Sequence, residues 1–183
     1  MAARTDNVAD PALAAELLLA RRGQAYFSRV LGQLPNGDLG SESFVPGWTN
    51  ARVVAHVALD ARATAHAVEA LRTRASEPVL VDAAERIRDI DFAATLPPEA
   101  LRNLSAHAAV HLNVEWRDLP AEVWSEKIRV TGKPPILAAD TVWRRCNEVW
   151  TRSVDLAGPS AIRDLPRDVL ERLRALPEPP HWL

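Results

Sequence analysis

Proline and glycine leave four long stretches of this chain almost untouched, and that spacing constrains the fold more than any other feature. Residues 12–31, 49–74, 99–118 and 140–157 contain no proline, and among them only Gly23 interrupts. Helices run through such stretches; strands of comparable length do not occur in ordinary domains. Helix-start signals precede two of them, Asp10-Pro11 before the first and Thr49 before the second, because an Asp or Thr side chain can accept the free N–H groups of a first turn. Asp140 reads as the same kind of cap for the last stretch, and Gly158-Pro159 lies beyond its end.

Side-chain periodicity agrees. Val142, Cys146, Val149, Trp150 and Val154 recur at helical spacing, so one stripe of the last helix faces a core. In the second helix Val53, His56, Val57, Asp60, Ala63, Thr64 and Ala67 share a face, while His66 lies on another meridian. In the third, Leu101, Leu104, Ala108, His111, Leu112 and Glu115 lie near one stripe. Residues 82–94 predict a shorter helix, and Pro166–Ala175 another. Residues 34–48 and 75–81 read as loops, the first rich in glycine and proline. From Val123 to Pro135 the chain alternates apolar and polar around Thr131-Gly132, the pattern of a small hairpin. The expectation is an all-α four-helix bundle with long loops and a short extended segment before the fourth helix.

Composition narrows the function classes. The 183 residues carry a formal charge of −2, which gives no electrostatic reason to expect nucleic acid or an anionic membrane. Arginine supplies almost all the basic residues, Lys127 and Lys133 being the only lysines, and with so much alanine this reads as a coding bias. One cysteine excludes an intrachain disulfide. No apolar run approaches the ~20 residues of a membrane span, and Met1-Ala-Ala-Arg-Thr-Asp has no apolar leader core. A soluble cytoplasmic protein is expected.

Chemistry concentrates on two helices. His56 and Glu148 both lie beside apolar stripes, and a carboxylate among Trp143, Trp150 and valines is costly to bury unless a charged group meets it. Either the two converge as metal ligands or each is satisfied separately, His56 by a core hydrogen bond and Glu148 by Arg152 one turn on. Cys146 reads as a small core residue, not as a nucleophile.

The motifs around these residues resemble the mycothiol-dependent maleylpyruvate isomerase family, part of the DinB-like four-helix metalloproteins. W-T-x-x-x-V-x-A-H runs from Trp48 to His56 after Pro46-Gly47. A-L-R-N-L spans Ala100–Leu104, W-R-D and V-W-S follow from Trp116, and E-V-W-x-x-x-V-D-L spans Glu148–Leu156. The tail P-E-P-P-H-W-L resembles the end of full-length members. The resemblance implies a zinc held by His56, Glu148 and a third position occupied here by Arg152, whose guanidinium has no lone pair for a metal. His111, then His107, are the substitute ligands to look for. It further implies that Arg86 lies near substrate carboxylates, that Arg145 serves anions or pairs with acids, and that mycothiol supplies the reacting thiol. The implied reaction is cis–trans isomerisation of maleylpyruvate to fumarylpyruvate. A metal-free, non-catalytic binding or dimerising module and a thiol transferase of the same fold are the alternatives. Residues 1–160 are expected to form the bundle and 161–183 a short helix and Pro-rich tail, in place of the family's usual second domain.

Overall fold

Asp10 starts the first helix as the sequence predicts, its carboxylate accepting the N–H of Ala12 at 2.9 Å. The computed structural model describes residues 6–183, so the expectation about the first five residues lies outside what is described. Helix α1 spans Pro11–Gln33 and α2 spans Asn50–Thr73, capped by the Thr49 hydroxyl on the N–H of Arg52. Then follow α3 (Ile87–Ala94), α4 (Pro98–Asp118), α5 (Asp140–Asp155) and α6 (Arg167–Arg174). No helix among the described residues is long and apolar enough to cross a membrane.

Helices α1, α2, α4 and α5 form the bundle. Helix α1 packs along α5, α2 along α4, and α2 meets α5. Sixteen of the 24 residues of α2 are buried, seven of them alanines: Ala51, Ala55, Ala58, Ala61, Ala65, Ala67 and Ala70. Alanine lets neighbours approach a helix closely from several sides. The alanine content that composition attributes to coding bias therefore has a packing role in α2. The α1–α5 seam is heavier: Leu17, Phe27 and Val30 bury against a face containing Val142, Cys146 and Val149. Each such side chain contributes about 1.5–3 kcal/mol by leaving water.

Two local expectations are corrected. Residues 75–81 are not loop throughout. Val79–Leu80 form strand β1, pairing parallel with β2 (Lys127–Val130), which pairs antiparallel with β3 (Lys133–Leu137). The β2–β3 turn is at Thr131-Gly132 as predicted, with Gly132 at φ 66°. Asp140 is not the cap of α5 but its first residue; its carboxylate turns back to accept the N–H of Leu137 at 2.8 Å and so pins the end of β3. The helix also stops at Asp155, before Gly158. After it, α6 docks on the α5 side through Val169 and Leu173, and Arg172 lies over the Trp143 ring at 3.3 Å while pairing with Glu16 at 2.6 Å.

Of the two glycines in α1, Gly23 has a steric reason. A Cβ on Gly23 would lie 2.6 Å from Trp150 Nε1 and 2.7 Å from Val149 Cγ2, both in the buried seam. Helix propensity favours alanine by about 1 kcal/mol, but contacts this short force a packed indole and valine apart, and overpacking typically costs about 1–3 kcal/mol. Gly23→Ala is expected to lower stability by about 1–2 kcal/mol in urea unfolding; an equal or higher midpoint would show that the seam yields freely.

Candidate functional site

Helix α2 presents His56 and, one turn on, Asp60; antiparallel α5 presents Glu148 and, one turn back, Arg144. The two pairs meet rung by rung. His56 Nδ1 lies 2.6 Å from Glu148 Oε1, and Arg144 Nη2 donates to Asp60 Oδ1 at 2.9 Å. The group that meets the embedded carboxylate of Glu148 is thus His56, with Arg152 second at 3.4 Å through Nε. Arg152 bonds Asp155 more closely, Nη1 donating to Oδ2 at 2.7 Å. Trp48 lies beside this rung: its ring centroid is 5.4 Å from that of His56 with the planes tilted by 52°, and the Arg52 and Arg152 guanidinium carbons are 4.8 and 5.5 Å from it.

Asp60 is the hub of the second rung. It is 2 % exposed and faces three arginines: Arg144, Arg86 (Nη2 to Oδ1, 3.3 Å) and Arg145 (Nη1 to Oδ2, 3.9 Å). Arg86 also donates through Nε to the Val81 carbonyl at 3.0 Å. Arg145 donates to the Val57 carbonyl at 2.8 Å and to Gln24 at 2.7 Å. One carboxylate therefore serves three cations, and two buried donors, Arg86 Nη1 and Arg144 Nε, find no acceptor. Arg86 lines a cleft of about 590 Å³ with Leu59, Arg62 and Val81. Glu148, Arg152 and Asp155 line a separate one of about 210 Å³, walled by Leu176, Glu178, Pro180 and His181 of the tail. The tail is pinned there by Trp182, whose indole N–H donates to Asp155 Oδ1 at 3.0 Å.

Charge states follow from these neighbours. Burial opposes ionisation of Glu148, but the fields of His56 and Arg152 and the His56 hydrogen bond overcome it and hold the carboxyl below the usual range. With Glu148 a carboxylate, His56 Nδ1–H is the donor in their bond. Burial likewise opposes the charges of Arg144 and Arg152, yet Asp60 for one, and Glu148 with Asp155 for the other, raise their hold on the proton. Burial lowers Arg145, with Asp60 and Glu148 offsetting part of the effect. Cys146 is buried and its thiol is pushed up to about 12, chiefly by desolvation, in keeping with a packing role.

The structure brings His56, Glu148 and Arg152 together and places Arg86 one turn along, bridged by Asp60. It does not bring His111 to them. His111 contacts Glu69 and Glu115 at 3.7 Å each, and Glu69 lies thirteen residues from His56, about 20 Å along α2. His107 is exposed on α4. Sequence reading gave Asp60 no role beyond its shared face with His56, and missed Arg144, Asp155 and Trp182. The i,i+4 spacings 56/60 and 144/148 are visible in the sequence, but only the antiparallel register of α2 and α5 makes them one ladder.

These residues do not fit a zinc ion as they stand. Two donors point at one another instead of at a common centre, and a guanidinium occupies the third family position. Among the described residues the one group of three potential ligand atoms within mutual reach is Glu69, His111 and Glu115.

Comparison with known proteins agrees with the motifs. The profile of the mycothiol maleylpyruvate isomerase N-terminal domain matches residues 20–157. Two solved structures superpose on the chain: a crystal structure of the mycothiol-dependent maleylpyruvate isomerase (TM-score 0.82) and one of a histidine-to-alanine mutant of it (TM-score 0.83). In each case identity is 34%, with 89% of this chain and 68% of the other covered. A search of curated proteins finds no match.

Asp60 carries a direct consequence. Removing one partner of a buried ion pair costs about 3–5 kcal/mol, because the stranded charges stay buried. Asp60→Asn leaves Arg86, Arg144 and Arg145 without their carboxylate and is expected to lower unfolding free energy by about that much. A loss under about 1 kcal/mol in urea titration would show that the hub is not structural.

Proposed function

The chain belongs to the mycothiol maleylpyruvate isomerase family, and from that premise we propose that it is a thiol-dependent isomerase of a small unsaturated dicarboxylate that activates its thiol without zinc. The carrying observation is the 2.6 Å His56–Glu148 bond. Glu148 holds Nδ1–H of His56, which leaves Nε2 as the proton acceptor in the neutral ring. That is the arrangement of an oriented general base. The thiol of mycothiol gives its proton to Nε2. The thiolate adds to one alkene carbon, forming a C–S bond while the π electrons move onto the conjugated carbonyl. Rotation about the resulting single bond follows. Return of the electrons re-forms the double bond and expels the thiolate, which recovers its proton from His56. Nothing is oxidised or reduced.

Two groups of cations support the anions. Arg152, beside Glu148 and near Trp48, supplies positive charge close to the thiolate. Arg86 Nη1 and Arg144 Nε, buried donors without acceptors, suit a substrate carboxylate. Residues 1–160 act as the catalytic bundle in this reading, and the 161–183 segment closes one wall through Trp182. A second reading, a non-catalytic binding module, draws on the same Arg152: a His56–Glu148–Arg152–Asp155 chain is already internally paired.

Turnover of maleylpyruvate with mycothiol distinguishes them. Activity is expected to survive exhaustive chelation and to fall about 10²–10⁴-fold in His56→Ala, the usual range for a lost general base. Arg86→Gln is expected to raise KM about 10–100-fold, as loss of a charged hydrogen bond implies. Activity that vanishes on chelation and returns with zinc sinks the metal-free reading. Absence of any thiol-dependent turnover leaves the binding module. In parallel, Arg152→His supplies the missing imidazole and is expected to add one zinc per chain to whatever the unmodified protein binds, by elemental analysis.

A further inference from the structure

At the other end of α2 a second set of histidines and carboxylates converges, and the geometry points to a divalent transition-metal site there. Helix α2 contributes Glu69, with His66 one turn before it; α4 contributes His111 and Glu115 at i,i+4. The two helices pack along their length, so the pairs face each other across one groove. One ligand atom each from Glu69, His111 and Glu115 lie within 4.8 Å of one another.

The distances have the character of a ligand shell. His111 Nε2 is 3.7 Å from Glu69 Oε2 and 3.7 Å from Glu115 Oε1. Both are too long for a hydrogen bond. Both are close to the edge of a tetrahedron with metal–ligand bonds of 2.0–2.2 Å, which is about 3.3–3.6 Å. The imidazole nitrogen thus sits between two carboxylate oxygens and bonds neither. Closing this set on an ion takes a few tenths of an ångström.

The surroundings supply what a metal site needs outside its ligands. Arg72 grips Glu115, Nε donating to Oε2 at 2.8 Å and Nη2 reaching Oε1 at the longer 3.3 Å. This orients the buried carboxylate through both oxygens, and Oε1, with only the longer contact, keeps a lone pair for the side facing His111. The charges also balance: two carboxylates against Arg72 leave one negative charge, which a divalent ion over-compensates only slightly. Glu69 and His111 are 41% and 35% exposed in their side chains, which gives the ion an entry path. His66 flanks the open side, with Nδ1 3.5 Å from Glu69 Oε2 and its ring edge-on to His111 at 5.4 Å between centroids. It, or water, completes the coordination. Imidazole with carboxylate and no thiolate suits zinc, cobalt or nickel over magnesium or calcium, which prefer all-oxygen shells. A metal here would cross-link α2 to α4 about 20 Å along the helix from His56, and so would serve stability and not the thiol chemistry.

The test uses the full chain without thiol or substrate, so it stands or falls separately from the isomerase reading. Zinc calorimetry and the visible absorption of bound cobalt are measured on the metal-stripped protein. One ion per chain is expected in the unmodified protein and in His56→Ala, with affinity reduced at least tenfold in His111→Ala and in Glu69→Gln. Saturating zinc is expected to raise the thermal midpoint by about 5–10 °C at a hundredfold excess over Kd. Neither variant removes a buried group, and alanine favours a helix; circular dichroism checks that both fold. Three outcomes overturn the site: no binding at about 1 mM zinc, binding lost in His56→Ala but kept in His111→Ala, or magnesium and calcium bound as tightly as zinc.

Discussion

The bundle is held in register on its polar side by one carboxylate. Asp60 lies between α2 and α5 where almost no water reaches, and three guanidinium groups converge on it. Hydrophobic packing does not specify this crossing in the same way, since α2 is lined with alanines that would tolerate sliding. The ion pairs would not. Moving α5 by one turn against α2 would set Arg144 against His56 and leave Asp60 with one arginine fewer. A buried ion pair adds little net stability, because desolvation offsets most of the Coulomb gain. Its contribution here is positional. It fixes which residues of α5 meet which of α2, and His56–Glu148 is the next rung of the same ladder.

That ladder shows why Arg152 matters. A guanidinium offers five donors and no lone pair, so in the place of an imidazole it inverts the chemistry available to its neighbours. Glu148 becomes the shared acceptor of two cationic or donor groups instead of a ligand with a free lone pair. Arg152 in turn is tied to Asp155, and Asp155 to Trp182 and, through its carbonyl, to the N–H of Phe44 at 2.8 Å. Loop, helix end and C-terminal tail therefore meet at one fully buried carboxylate next to the candidate site. The small cleft beside Glu148 owes its shape to that meeting.

The sequence made much of this readable, for identifiable reasons. Helices α1, α2, α4 and α5 are long enough for periodicity to show, and the β2–β3 turn needs a glycine at positive φ, which Gly132 supplies. Strand β1 escaped notice because its two residues have no pattern of their own; their partner, Arg129–Val130, is fifty residues away. Asp140 misled because a carboxylate before an apolar stripe suits both a cap and the turn it makes onto Leu137. At the site, His56 and Glu148 were legible as polar residues on apolar faces, and the family motif joined them. Asp60, Arg144 and Asp155 were not, because their partners are set by how α2, α5 and the tail are placed, which no local pattern encodes.

The same residue types have opposite meanings at the two ends of α2, and distance separates them. At 2.6 Å, His56 Nδ1 and Glu148 Oε1 are closer than two ligands of one tetrahedral metal would be, and both atoms are engaged in a hydrogen bond to each other. At 3.7 Å, His111 stands off both of its carboxylates, farther than a hydrogen bond and near a ligand edge. The difference comes from the imidazoles, since an arginine touches the shared oxygen at both ends. His56 bonds Glu148 Oε1 and Arg152 approaches the same oxygen, so two donors together close it to a further cation. Arg72 holds both oxygens of Glu115, Oε2 at 2.8 Å and Oε1 at 3.3 Å, but His111 does not bond Oε1, which therefore keeps a lone pair on the side of the imidazole. One oxygen is taken up by a histidine and an arginine together; the other meets an arginine alone, with an unbonded imidazole beside it.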